Sequence, residues 1–149
     1  NGLYRVNKKG GFNVPIGRYD NPTILDEDNL RACSAVLQHT EIEHRSYTHV
    51  FHEAEPGDVV YFDPPYVPLN GTANFTSYTR DGFGPEDQVQ LRDMAWELKQ
   101  RGVNVLLSNH DTPEVRELYR GFDIEQVMMS RSINSRGSKR GAVAEVIIS

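Results

Sequence analysis

The chain has 149 residues, of which 38% are hydrophobic and 25% charged, a composition that suits one globular domain with a real core and is short for a two-domain enzyme. No apolar run approaches the roughly 20 residues of a membrane span, and residues 1 to 19 lack the apolar core of a signal peptide, so a cytoplasmic protein without membrane contact is expected. A net charge of −5 argues against a nucleic-acid partner until its distribution is considered: residues 1–19 and 130–141 each carry four basic residues and no acid, half of the sixteen Lys and Arg, and such local patches are what phosphate contact requires. Cys33 is the single cysteine, which excludes an intrachain disulfide.

In chain order, "NGLYRVNKKGGFNVPIGRYDNP" alternates its side chains around "NKKGG", where the glycines can take positive φ, and predicts a β-hairpin or looped arm. A linker follows over Asp20–Thr23, then a helix from Asp26 to about Gln38 with Leu30, Ala32, Cys33, Ala35, Val36 and Leu37 on an apolar side. A short strand is expected over residues 40–46 and a short helix over 47–54. Val59, Val60, Tyr61 and Phe62 are β-branched or aromatic and predict a buried strand of the parallel kind. That strand ends at "DPPY". Pro64 and Pro65 lack N–H groups and fix their own φ, so the chain leaves the sheet rigid and holds Asp63 and Tyr66 at the carboxyl edge, where open α/β folds bind ligands.

The long polar stretch "VPLNGTANFTSYTRDGF" has the character of a binding loop. Pro85 suits the first turn of a helix running to about Arg101, with Val89, Leu91, Met94, Ala95 and Leu98 inward and Gly102 as terminator. "VNVLLSN" is the next buried strand, Thr112 or Asp111 caps a short helix, and "DIEQVMM" and "AVAEVIIS" pair as a hairpin around the basic "SRSINSRGSKRG". Met94, Met128 and Met129 are expected in the core, and Trp96 packed or partly exposed. The whole is α/β with a parallel core and an antiparallel hairpin at its edge.

The Asp63 carboxylate and the Pro64 carbonyl are two acceptors a few Å apart, and the Tyr66 ring can stack on a planar group. Together they suit an exocyclic amine on a nucleobase, which must leave the duplex to be reached. Here the chain resembles the DNA adenine methylase family, the bacterial and phage N6-adenine methyltransferases of GATC. The resemblance rests on "DPPYVPLNGTANFTSY", "NGLYRVNKKGGFNVPIGRY", "LLSNHDT" and "SRSINS", in the family's order across nearly all of the chain.

The resemblance implies a partial Rossmann-like methyltransferase sheet with an N-terminal β-hairpin arm for DNA readout, residues 1–25 forming arm and linker and 26–149 the carboxyl-terminal part of the catalytic domain. It implies S-adenosylmethionine as methyl donor, no metal, double-stranded DNA as partner and a monomeric complete enzyme. Asp63, Pro64, Pro65 and Tyr66 would be catalytic, with Asp63 also beside the cofactor. Arg5 would contact a guanine, and Leu3 and Pro15 a thymine methyl, pairings that agree with groove chemistry, while Tyr19 would lie near the outer base pair. Asn1 would lie near the space left by the flipped adenine, and Asn7, Asn13 and Arg18 would touch phosphates. Phe12 and Val14 are expected to pack the hairpin. His44, His49 and His52 are read as solvated or packing histidines, and Asn109, His110 and Asp111 as a cap or pocket-shaping group.

The chain departs from the family in lacking an upstream Gly-rich strand and turn and the upstream lysine motif; "GFG" at 82–84 follows the catalytic turn and cannot stand in for them. A truncated methylase, inactive alone, is therefore expected. Two other readings stay open: a GATC-binding module without catalysis, and a methyltransferase of cytosine N4 or RNA adenine.

Overall fold

The structure is a computed structural model that describes residues 6–14, 20–21, 24–69, 83–130 and 142–149. It divides into two compact units, Asn1–His44 and Arg45–Ser149.

In the first unit, Val6 and Phe12 form an antiparallel bridge closed by a turn in which the Gly10 N–H reaches the Asn7 carbonyl at 2.9 Å and Gly10 takes φ +80°. The Asn7 side-chain oxygen accepts from the Lys9 and Gly11 N–H groups at 2.9 and 3.1 Å, so the residue shapes its own turn. Phe12, expected to pack the hairpin, is 64% exposed. Helix α1, Glu27–Leu37, starts where the Asp26 carboxylate accepts from the Asn29 N–H, with Glu27 and Asp28 favourably placed in the first turn. The predicted helix is present, but the expected apolar side buries nothing: no residue of α1 is buried, and Leu30 and Val36 stand exposed. Periodicity identifies a face without supplying what covers it. Residues 40–46 form no strand, which corrects the expectation there; Ile42 is the segment's one apolar side chain and is exposed, so nothing pins a register.

In the second unit a 3₁₀ turn over Tyr47–His49, capped by Ser46, runs into the short helix α2, Val50–Glu53. Strand β1, Val59–Phe62, leads to the site. Helix α3, Pro85–Gln100, begins with proline at its first position and with the Asp87 carboxylate accepting from the Gly84 N–H at 2.7 Å. It ends in a Schellman turn: the Val103 and Gly102 N–H groups bond the Leu98 and Lys99 carbonyls at 3.1 and 3.0 Å, with Gly102 at φ +86°, where a side chain would be strained. Arg101 then donates at 2.6 Å to the Phe51 and Ala54 carbonyls, satisfying the open end of α2.

Strand β2, Asn104–His110, pairs parallel with β1, placing Phe62 beside Leu107. Helix α4, Pro113–Leu118, is capped by the Thr112 hydroxyl, which accepts from the Val115 N–H. Strands β3, Ile124–Ser130, and β4, Ala142–Ile148, pair antiparallel, and β4 inserts beside β2 to give the order β1-β2-β4-β3. The sheet is thus mixed, with a parallel βαβ unit on one side and an antiparallel hairpin on the other.

The core lies between α3, α4 and one face of the sheet, where Leu91, Ala95, Leu98, Leu107, Val115, Tyr119, Val146 and Ile148 are almost wholly excluded from solvent. Three expectations change. Val89 is exposed and Gln88 buried, a shift of one position around α3. Met128 and Met129 are exposed because β3 is an edge strand, whereas Met94 is core. Val59 and Tyr61 are exposed, since β1 is the other edge. Trp96 is half-exposed, with its ring edge-to-face on Phe122 at 5.2 Å. No helix among the described residues is long and apolar enough to cross a membrane.

Candidate active site

The parallel register decides what meets at the sheet edge. Because Phe62 pairs with Leu107, the next residues, Asp63 and Ser108, lie side by side where β1 gives way to the proline turn. The Ser108 hydroxyl donates to Asp63 Oδ1 at 2.7 Å, and the Tyr61 hydroxyl donates to Ser108 Oγ at 2.9 Å. Asp63 is exposed, and its second oxygen has no protein partner among the described residues.

The turn itself is gripped from both sides of the sheet. From the core side, Gln88 of α3 donates to the Pro65 carbonyl at 2.8 Å, and the Asn109 side-chain oxygen accepts from the Val67 N–H at 2.9 Å. Asn109 in turn donates to Gln88 at 3.3 Å, so two buried amides act as one clamp. From the other side, His110 Nδ1 meets the Val67 carbonyl at 2.6 Å, which requires the proton on Nδ1, and its ring stands edge-to-face with Tyr66 at 5.0 Å between centroids. Both backbone polar groups of Val67 are therefore held. The Pro64 carbonyl, by contrast, accepts no hydrogen bond among the described residues.

Burial pushes the Tyr66 phenol up to about 12, reinforced by the nearby Asp63 and Glu145 carboxylates and opposed by Ser108. At neutral pH it is protonated and offers a neutral ring. The exposed carboxylate, the open proline carbonyl and this ring together provide two acceptors and a stacking face, a set that matches an aromatic amine with two N–H donors. Asp111 sits outside this set. It pairs bidentately with Arg116 at 2.5 and 2.9 Å and accepts from Gln126, and these donors hold its carboxyl below the usual range.

Of the residues singled out in sequence, Asp63, Pro64, Pro65 and Tyr66 stand together at this edge. Asn7 is in the described part of the first unit, where its oxygen is committed to the turn, and Asn13 lies there too. Asn1, Leu3, Arg5, Pro15, Arg18 and Tyr19 lie outside the described residues, as do the basic loop 131–141 and residues 70–82 of the polar stretch after the turn. His49 pairs with Glu53 at 2.7 Å. The pocket-shaping expectation for Asn109 and His110 matches the clamp. Ser108, Tyr61 and Gln88 were not singled out. Gln88 carried a readable signal, as the one amide within the buried stripe of α3; Ser108 and Tyr61 carried none without the register.

A model of the D12 class N6 adenine-specific DNA methyltransferase family matches residues 1–133. The Type II methyltransferase M1.LlaDCHI of Lactococcus lactis subsp. cremoris is 47% identical over 150 residues, 99% of this chain and 53% of that protein. The DNA adenine methylase of Vibrio cholerae serotype O1 (strain El Tor Inaba N16961) is 45% identical over 148 residues, 99% of this chain and 53% of that protein. The DNA adenine methylase of Escherichia coli K12 is 42% identical over 147 residues, 99% of this chain and 52% of that protein. The chain spans about half the length of the curated relatives it matches. With a match of this extent, and with the acceptor pair and ring standing at one sheet edge, the chain belongs to the D12 class of N6 adenine-specific DNA methyltransferases.

Proposed function

We propose that the protein takes part in transferring a methyl group from S-adenosylmethionine to the N6 amino group of adenine in double-stranded DNA, within GATC. The observation that carries this reading is a Pro64 carbonyl that accepts no hydrogen bond among the described residues, next in sequence to an exposed Asp63 carboxylate one of whose oxygens is already bonded. An amino group bound there donates one N–H to each acceptor, and the Tyr66 ring covers the extruded base. Neither acceptor needs to remove a proton beforehand, because an aryl amine is far too weak an acid for a carboxylate. Two acceptors would instead draw the nitrogen toward tetrahedral geometry and free its lone pair for in-line attack on the donor's methyl, the S–CH3 bond breaking to leave a neutral thioether and an N6 proton passing afterwards to Asp63 or solvent, so alignment supplies most of the acceleration.

S-adenosylmethionine, when bound, supplies the electrophilic methyl group. The residues present fit it in one respect: Asp63 stands at the carboxyl end of β1, beside the parallel neighbour β2, the edge at which open α/β sheets bind nucleotides, and its free oxygen can face the donor. The amino-terminal arm is the readout element in this reading. Arg5 pairs with a guanine, Leu3 and Pro15 meet a thymine methyl, Tyr19 lies near the outer base pair, and Asn1 stands near the vacated stack. Asn13 and Arg18 touch phosphates, and Asn7 adds a contact through its amide nitrogen, its oxygen being held by the turn.

The reading is tested by sequencing plasmid DNA exposed to the full-length protein and S-adenosylmethionine with a method that reports N6-methyladenine directly. Marks confined to GATC adenine are expected. Marks on cytosine, or at adenines without that context, contradict it; tight GATC binding with no mark would make the protein a reader.

A further inference from the structure

Resting on the function proposed above, we infer that Tyr61 and Ser108 form a positioning pair that sets the orientation of the Asp63 carboxylate for the adenine amino group. A serine hydroxyl has one proton and two lone pairs, and an ionised carboxylate can only accept. Ser108 must therefore give its proton to Asp63 Oδ1, at 2.7 Å, and it has a lone pair left for the Tyr61 hydroxyl, at 2.9 Å. With Tyr61 on one lone pair, the Ser108 proton goes to the charged Asp63 oxygen, a stronger acceptor than the neighbouring Tyr66 phenol, and each bond polarises the next.

Burial separates this chain from an ordinary satisfied core group. Asp63 is exposed and could be hydrated without Ser108, so the bond is not needed to rescue a desolvated charge. Ser108 is buried at 3% exposure on β2, a strand with a neighbour on each side, and so gives a rigid reference point. Fixing Oδ1 to that point removes the rotamer freedom of an otherwise mobile carboxylate. It leaves the second oxygen as the acceptor, at a set place relative to the Pro64 carbonyl, whose position the Gln88 and Asn109 clamp controls independently. Both acceptors for one amino group are thereby referenced to β2, one through Ser108 and the other through Asn109, with Gln88 of α3 adding to the second. Tolerances in such constellations are about half an ångström.

The test measures single-turnover methyl transfer and duplex affinity for the complete protein and for Ser108→Ala, Tyr61→Phe and the double variant. Ser108→Ala is expected to slow the chemical step by about 10- to 100-fold, and Tyr61→Phe by about three- to tenfold, with the dissociation constant for duplex unchanged within about threefold. The double variant is expected to be no slower than Ser108→Ala, because Tyr61 acts only through the serine. Rates of Ser108→Ala within about twofold of wild type, losses appearing equally in duplex affinity, or additive effects in the double variant would each overturn the inference while the parent function stands. A wild-type protein that transfers no methyl group to adenine overturns both.

Discussion

Replacing Asn109 by alanine isolates the clamp on the proline turn. Asn109 is 1% exposed and makes three bonds: it accepts from the Val67 and His110 N–H groups, each at 2.9 Å, and donates to Gln88 at 3.3 Å. Truncation leaves the Val67 N–H and the Gln88 carbonyl without partners at 7% and 3% exposure. Each such orphan costs about 1–3 kcal/mol, whereas the His110 N–H is adjacent in sequence and can be counted at the low end. A total of about 3–7 kcal/mol follows, a large fraction of the roughly 5–15 kcal/mol that holds a typical domain together. In urea, a slope of about 2 kcal/mol per molar converts this to a midpoint lowered by about 1.5–3.5 M, with the slope unchanged. Because Gln88 and Asn109 share a bond, the double variant Gln88→Ala/Asn109→Ala should cost less than the sum of the singles. A midpoint lowered by less than about 0.3 M, or strict additivity, would show that the turn is not held this way.

Asp63→Ala should abolish turnover while leaving duplex affinity within about tenfold, since it removes a lone-pair acceptor and no phosphate contact; turnover comparable to wild type rejects the role. A phenol raised to about 12 acts through its ring, so Tyr66→Phe should keep turnover within about tenfold, whereas Tyr66→Ala should lose about 1–3 kcal/mol of stacking; equal losses in steady-state kinetics would mean the hydroxyl matters. Arg5→Ala should cost about 1–3 kcal/mol at one base pair and relax selectivity there, and a uniform loss across sequences in competition binding would make it a backbone contact. Asp111 is held below its ordinary 3.8 by Arg116 and Gln126, so its contribution to stability is complete above that value and lost as pH falls through the lowered one. Urea midpoints measured from pH 5 down to pH 2 should fall less steeply for Asp111→Asn than for wild type, and parallel curves would dismiss the pair as a source of acid sensitivity.

Local chemistry legible in the chain accounts for α3 with its proline start and glycine stop, for β1 and β2 as apolar runs, for the Thr112 cap and for the hairpin of β3 and β4. Proline geometry likewise placed Asp63 and Tyr66 at a sheet edge, because two imino acids after an apolar strand leave few other paths. Misjudged positions share a cause. Val59, Tyr61, Met128 and Met129 are apolar residues on edge strands, and Leu30 and Val36 lie on a helix that buries nothing, so hydrophobicity identified candidates for burial without naming a cover. Residues 40–46 form no strand, since no strand pairs with them among the described residues, and local preference cannot supply one.

By itself the amino-acid order determined which groups exist to do chemistry: an aspartate, a proline carbonyl and an aromatic ring within four residues, made stiff by their own covalent structure. Tertiary structure alone decided what holds them. Ser108 reaches Asp63 only because β1 and β2 run parallel in one register, and Gln88 reaches Pro65 only because α3 packs its buried stripe over the strand ends. Hydrogen bonds extend about 3 Å and sequence separations here are 21 to 47 residues, so register and packing had to bring the partners together before any of these bonds could form.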